Sequence, residues 1–274
     1  MRFAIVVSKT DPAGMLMREI FARDFGFAQN VQHFDQNQVL SNGKYSLVTI
    51  NESQIFADYC DGIDADFLIF ASKHKSVSGK PTLTVHPIGN WGKAEMGGRD
   101  KTIVKTSAIL MRNYIRKLAE LKEKYNLSYD VALEVTHHGA FHEKPCVYIE
   151  LGSSEKQWSD RAAAKAICET ILSATDAAQK NEKIAIALGG NHYAPEFTKL
   201  VLRKDFAISH MCPEYALQNF DSEMLEKAIA ATMEKIDLFV IDEKGLGGKE
   251  QKARLLGILG SKGLPIEKIR NLLK

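Results

Sequence analysis

The chain has 274 residues, with 36 Lys+Arg against 34 Asp+Glu, 45% hydrophobic and 26% charged residues, the balance of a soluble globular protein. That composition excludes disorder, collagen-like repeats and coiled coil, and a chain of this size buries roughly three quarters of its extended surface, enough to fold without metals or disulfides. The formal net charge of +2 argues, weakly, against a nucleic-acid partner.

The apolar run Phe3–Val7 is too short for a signal peptide and is followed at once by Lys9 and Asp11. It reads as a strand, and Ala13–Asp24 as the helix after it. Strands at Ser46–Ile50, Asp66–Phe70 and Leu83–His86 come next, then a helix over Lys101–Lys124. Val131–Thr136 and Cys146–Leu151 are strands, and Glu155–Ala177 is a helix with an approximately 3.6-residue rhythm at Ala162, Ala166, Cys168, Ile171 and Leu172. The remainder alternates: strand Lys183–Leu188, helix Ala194–Leu202, strand Ala207–His210, helix Ser222–Lys235, strand Asp237–Ile241, then helices Glu250–Leu259 and Pro265–Leu273. No stretch approaches the ~20 apolar residues of a membrane span. Cys60, Cys146, Cys168 and Cys212 are widely spaced with no CxxC pair, which suits reduced thiols in a cytoplasmic protein.

Strands such as Phe67–Phe70 and Ile184–Ala187 are apolar on both faces, as strands covered by helices on both sides are. Only nine residues join Val131–Thr136 to Cys146–Leu151, a length that suits an antiparallel pair better than a right-handed crossover. The expected fold is therefore a three-layer α/β/α domain with a mixed sheet, spanning residues 1–274. Its final segment, 245–274, is helical and basic, with a net charge of +5 that leaves −3 on the rest. Such a segment is either a solvated tail or a surface for a phosphate backbone.

Five of the eight histidines, His86, His137, His138, His192 and His210, lie at or just after the carboxyl end of an expected strand, where open α/β sheets place their ligands. With Glu134 and Glu150 they form a donor set that suits zinc, although no HExxH helix exists. Along an extended Glu134–His138, side chains alternate, so Glu134, Thr136 and His138 share one side and His137 faces the other. On that geometry one histidine can serve as a ligand while its neighbour orients it or moves protons, the alternative being a hydrogen-bonded pair at the strand end. Gly189-Gly190-Asn191-His192-Tyr193 and Gly152-Ser153 are turns that bring backbone N–H groups to an anion. Lys73, Lys75 and Lys80, interleaved with His74 and three serines, form a basic loop ahead of His86. This constellation admits a phosphate-binding nucleoside phosphorylase or hydrolase, and also a non-catalytic RNA-binding module.

Several runs in this order narrow the choice. Ser72-Lys73-His74-Lys75-Ser76, Leu83-Thr84-Val85-His86 with Gly89-Asn90, Glu134 to Gly139, Glu150-Leu151-Gly152-Ser153 with Trp158, and Gly189-Gly190-Asn191-His192-Tyr193-Ala194-Pro195 resemble the archaeal and plant type of D-aminoacyl-tRNA deacylase. The resemblance covers nearly the whole chain. Where that family carries HHGPT, this chain has His137-His138-Gly139-Ala140-Phe141, without the proline and the hydroxyl.

The resemblance implies a phosphorylase- and peptidyl-tRNA-hydrolase-like fold. It also implies a zinc-dependent hydrolase that cleaves the ester between a D-amino acid and the tRNA 3′ end, as translation quality control. Zinc lowers the pKa of a bound water to about 7 and polarises a carbonyl. On this reading His86, His138, His192 and Glu150 are the expected zinc ligands, and His137, Glu134 and His74 the expected catalytic groups. Lys73, Lys75, Lys80, Gly189, Gly190, Asn191, Tyr193, Gly152 and Ser153 are the expected contacts to the tRNA end. No obligate protein partner is expected, and the chain is read as a monomer.

Overall fold

The computed structural model describes residues 1–175 and 181–274. In chain order these form β1 (Phe3–Ser8), α1 (Pro12–Asp24), β2 (Ala28–Phe34), β3 (Asn37–Ser41), β4 (Tyr45–Ile50), β5 (Phe67–Lys75), β6 (Thr82–His86), β7 (Gly89–Asn90) and β8 (Thr102–Ile103). Then follow α2 (Ala108–Lys124), β9 (Asp130–Leu133), β10 (Cys146–Ser153), α3 (Glu155–Trp158), α4 (Arg161–Ala174), β11 (Lys183–Leu188) and α5 (Pro195–Arg203). The last third holds β12 (Phe206–Cys212), α6 (Ser222–Ala230), β13 (Leu238–Ile241), α7 (Lys249–Gly260), β14 (Ile266–Lys268) and α8 (Ile269–Leu272).

A mixed eight-stranded sheet, ordered β2-β3-β4-β1-β5-β10-β6-β9, is joined by a four-stranded sheet, β12-β11-β13-β14. One face of the large sheet, including Ile5 and Ile69, shares a core with Met17 and Phe21 of α1, Tyr114 of α2 and Ile167 of α4. Ala185, Ile208 and Val240 of the small sheet belong to the same core. Each such apolar side chain contributes about 1.5–3 kcal/mol by leaving water. The other face of the large sheet carries Val6, Leu68, Phe70 and Tyr148, covered by the short turns at Gln54–Phe56 and Asp58–Gly62 rather than by long helices. Met224, Leu225, Leu255 and Leu259 of α6 and α7 close the outer face of the small sheet.

Where sequence and structure differ, local chemistry accounts for it. The β2–β3 hairpin was not expected, because its residues are mostly polar and the apolar ones do not form a continuous run. Its two-residue turn places Asp35 and Gln36 at φ 47° and 61°, the positive values of a type I′ hairpin. The expected antiparallel pair of Val131–Thr136 and Cys146–Leu151 is interrupted. β6 lies between β9 and β10, parallel to the first and antiparallel to the second. The helix expected from Lys101 starts at Ala108, where Ser107 accepts from the Leu110 amide. The helix expected over Glu155–Ala177 breaks at Asp160, whose carboxylate caps a fresh start, and its expected end at Ala177 lies outside the described residues. The segment 245–274 is not wholly helical, since β14 adds a parallel strand to β13.

Candidate active site

The carboxyl ends of parallel β5 and β10 stand side by side, and antiparallel β6 runs back along β10 so that its last residue, His86, lies one pleat from Glu150. Ser72 opposes Glu150, His74 opposes Gly152, and Tyr148 opposes His86. Alternation along a strand therefore aims Ser72, His74, Glu150 and His86 from one face. β5 runs on to Lys75, so the serine- and lysine-rich run expected as a loop is strand as far as that residue. Gly152 is required where it stands, because a Cβ there would lie 2.7 Å from the His74 side chain. Asp11 caps α1 by accepting from the Gly14 amide at 2.9 Å and anchors the end of β5 by accepting from Lys73 N at 2.7 Å. The Trp158 indole donates to the His74 carbonyl at 2.8 Å.

After β9 the chain leaves the ladder. Glu134 N donates to Val85 O, Val135 N to His192 O and Thr136 N to Met211 O, which stitches the two sheets together at this point. The chain does not stay extended, so the expectation that His137 faces away from Glu134 is overturned. His137 Nε2 lies 3.4 Å from Glu134 Oε2, and its ring lies 4.2 Å from that of His86.

Glu134, fully buried, is the hub. Its carboxylate lies 3.2 Å from His74 Nδ1, 3.2 Å from His192 Nε2 and 3.4 Å from His137 Nε2. Glu150 lies 3.3 Å from His74 Nδ1 and 3.7 Å from His86 Nε2, and it accepts from Ser72 Oγ at 2.6 Å. His74 Nε2 meets the Tyr193 hydroxyl at 2.9 Å. Burial alone would raise the pKa of Glu134, but the His192 contact and the charge of His86 hold it at about 2. Glu150 is likewise held well below the usual carboxylate range, with burial outweighed by His74 and His86. For His74, burial disfavours the cation, yet its contact with Glu150 and the charges of Glu134 and Glu150 raise it to about 10. Burial and the neighbouring His86 push His137 well below 6.5, so its imidazole stays neutral. Burial likewise lowers His138.

Among the described residues, two groups of donors are compact enough for a cation. His86, Glu134 and His137 form one, and His74, Glu134 and Glu150 the other, each with one donor atom per residue within 4.8 Å of the others. Both Glu134 oxygens, His86 Nε2 and His138 Nδ1 are buried without a hydrogen bond. Buried polar atoms are seldom left so. Imidazole and carboxylate lone pairs that converge in this way fit a zinc-type ion. Of the expected ligands, His86 and Glu150 fall in these groups, whereas His138 and His192 stand at their margin.

These side chains open into a cavity of about 510 Å³ that also touches Lys73, Lys75, His138 and His192. Other expected contacts are placed differently. The Gly189 amide donates to Cys212 O at 2.9 Å and is not available to an anion. Asn191 Oδ1 accepts from the Tyr193 amide and shapes the turn at Gly190. Ser153 Oγ donates to Lys80 O at 2.6 Å, and Gly152 lies within the strand ladder. His210 is not in the site, since it is fully buried between Thr136 Oγ1 and Ala231 O. Asp11 and Met96 were missed as site-lining groups, and only Asp11 carried a signal, as a helix cap ahead of Pro12.

The basic tail is largely tied to the protein itself. Lys252, Lys268 and Arg270 converge on Glu243 at 2.7, 2.9 and 3.1 Å. Lys262 pairs with Glu226, and Arg254 donates to Leu217 O and Phe220 O. Among the described residues, no helix is long and apolar enough to cross a membrane.

The D-aminoacyl-tRNA deacylase family profile matches residues 61–267. A D-aminoacyl-tRNA deacylase of Pyrococcus furiosus is 36% identical over 256 residues, covering 90% of this chain and 93% of its own length. One from Cenarchaeum symbiosum is 32% identical over 96% of this chain and 98% of its own. A crystal structure described as a conserved protein of unknown function superposes with a TM-score of 0.90 at 29% identity, over 99% of this chain and 96% of that one. By the extent and identity of these matches, the chain belongs to the D-aminoacyl-tRNA deacylase family.

Proposed function

We propose that the chain hydrolyses the ester joining a D-amino acid to the 3′ end of tRNA, releasing both, and that residues 1–274 act as one catalytic unit. The observation that carries this reading is the convergence of His74, His137 and His192 on the buried carboxylate of Glu134, beside Glu150 and at the floor of an open cleft. Zinc is the proposed cofactor, with His86, Glu134 and His137, or His74, Glu134 and Glu150, as the residues that would hold it. When bound, such an ion supplies Lewis-acid polarisation of a carbonyl and a lowered pKa for water.

The protein's own groups have distinct parts. Glu134 stays ionised and accepts or orients protons on three imidazoles. Where the ion is held by the His86 group, His74 stays charged between two carboxylates and presents Nε2 to the Tyr193 hydroxyl, which places a donor at the cleft wall. Where it is held by the His74 group instead, neutral His137, held through Nδ1 by the Val135 carbonyl at 2.7 Å, is the imidazole left free for general acid–base work. Exposed Lys75 and Lys80, with Lys73 beside them, give phosphates of the RNA end a cationic approach. The tail adds less, because most of its bases already have partners.

The test is incubation of the purified chain with matched D- and L-aminoacyl-tRNA, with and without chelator. Release from the D form only, lost on chelation and restored by zinc, is the expected result. Equal release from both forms, or none from either, refutes the reading.

A further inference from the structure

Between β7 and β8 the chain makes a strap, residues 92–101, whose ends are tied together. Lys101 N donates to Gly92 O and Ala94 N to Asp100 Oδ1, each at 2.7 Å. Compact surface loops closed in this way often carry function. Across the middle, the buried Asn90 amide donates to Gly97 O at 3.1 Å and to Arg99 O at 3.3 Å. Gly97 and Gly98, at φ 76° and 77°, are seated directly on neighbouring backbone. A Cβ on Gly97 would strike the Ile55 carbonyl, and one on Gly98 would come 2.5 Å from the carbonyl of Gly139. Met96, the residue before this seat, stands with His137 and His138 at the boundary of two clefts, of about 510 and 750 Å³, and lines both.

One side-chain contact fastens the strap beyond Met96. The Arg99 guanidinium lies 3.9 Å from the centre of the Phe141 ring, within range of the attraction between a cation and a ring face. Among the described residues Arg99 forms no ion pair, so the ring is what holds its side chain. Phe141 is the fixed member of the pair. Its amide donates to Asp58 Oδ1 at 3.1 Å, and the amides of Glu143 and Lys144 donate to Asp61 at 2.9 and 3.2 Å. Between them His142 is buried and stacks on Phe70, with ring centroids 5.1 Å apart. Arg99 is exposed and lies outside any helix or strand, so it is the member free to move.

We infer that Arg99 is a positioning residue for hydrolysis: stacked on Phe141, it fastens the strap that holds Met96 beside the reactive histidines. This inference rests on the deacylase reading and gives a part in it to a side chain that acts through others. An ester brought to His137 and His138 meets Met96 where the two clefts join. Its rate of cleavage then depends on where that wall stands, because misplacement by about 1 Å can cost about 10²-fold. A thioether suits the place, since it packs against groups of varied shape. The clamp is exposed to solvent, so its share of the rate is about fivefold.

The experiment compares the full chain with Arg99→Ala, Phe141→Leu, their double variant and Phe141→Tyr, on one D-aminoacyl-tRNA and under limited trypsin. A thermal melt checks that each variant folds. Arg99→Ala and Phe141→Leu are each expected to lower kcat about fivefold, with KM within about twofold. The double variant should be no slower than either, because both remove the same contact. Phe141→Tyr keeps a ring face under the guanidinium and should retain the rate. On a Met96→Ala background, Arg99→Ala should add nothing. Cleavage after Lys93, an exposed strap residue, should quicken about fivefold in Phe141→Leu as the strap opens more often. Multiplied losses of about 25-fold in the double variant, or a raised KM with weaker tRNA binding in Arg99→Ala, would make Arg99 a direct contact and overturn the inference. So would unchanged kcat and unchanged cleavage in Phe141→Leu. A wild type that hydrolyses nothing ends the deacylase reading and the catalytic part of this inference with it. The trypsin arm then still decides whether Arg99 and Phe141 hold the strap.

Discussion

Glu134 Oε2 and His192 Nε2 lie 3.2 Å apart across the junction of the two sheets, one residue from the backbone bond between Val135 N and His192 O. The carboxylate that serves three imidazoles is thus also positioned by the seam of the fold. Glu134→Gln keeps the shape and removes the charge. It is expected to lower kcat/KM on a D-aminoacyl-tRNA by about 10²–10⁴, the range for loss of a positioned proton-transfer group. Activity within threefold of wild type, in a variant with an unchanged melt, would remove Glu134 from the chemistry.

His192 and His138 differ from the deeper histidines in standing at the margin of the donor groups. His192 has a 36% exposed side chain, so His192→Ala opens no sealed cavity. Both alanine variants should lose most hydrolysis while melting within a few degrees of wild type. The split lies in metal content, which should stay at the wild-type level in both and fall in His86→Ala. Loss of metal in all three variants, His86→Ala, His138→Ala and His192→Ala, would restore the ligand set expected from sequence. A wild-type chain that binds no metal and releases nothing from any aminoacyl-tRNA would favour a non-catalytic RNA-binding module.

Much of this site was legible in the sequence, for definable reasons. The strands leading to His86, Glu150 and His192 were recognisable because apolar runs precede them. Register places His86 opposite Tyr148 and Glu150 opposite Ser72, whereas His192 follows β11 of the small sheet and reaches the site only where the sheets meet. The facing of His137 was not legible. Alternation assumes an extended chain, and the bonds of Val135 and Thr136 to the small sheet break that assumption. The division into two sheets was equally hidden, because pairing depends on contacts far apart in sequence. In the tail, Pro265 suggested a helix start, but Ile266–Lys268 first completes the small sheet. Net charge was a poor guide as well, since four of the tail's bases, Lys252, Lys262, Lys268 and Arg270, are paired with Glu243 or Glu226 within the fold.

RNA contact should therefore depend on the strand-end lysines more than on the tail. For a single-stranded end, each phosphate contact contributes about −0.7 to the slope of log K against log salt. The double variant Lys75→Ala with Lys80→Ala is expected to flatten the slope of tRNA binding by roughly 1 to 1.5 units. Lys268→Ala should leave it unchanged. A wild-type slope in the double variant, or a flattened one in Lys268→Ala, would return the RNA to the tail. Deletion of Gly245–Lys274 is a poor substitute for these variants, because it also removes Leu255, Leu259 and β14 from the folded core.

Glu243 gives the tail a measurable pH signature. Hydrogen bonds from Lys252 and Lys268 and the charge of Arg270 hold its pKa at about 2, against about 4.3 for an unfolded glutamate. A carboxylate whose pKa is lower when folded stabilises the fold above the unfolded pKa, and that contribution disappears as pH falls through the folded one. The melting midpoint of Glu243→Gln should therefore lie below wild type at pH 6 to 7. The gap should narrow below about pH 4 and close only below pH 2, once the Glu243 carboxyl is protonated in the folded protein too. High salt should narrow the gap at neutral pH as well, because the cluster faces solvent. A gap that stays constant from pH 7 to pH 2.5 would mean that the glutamine acts through packing and that the three bases are not held by the carboxylate charge.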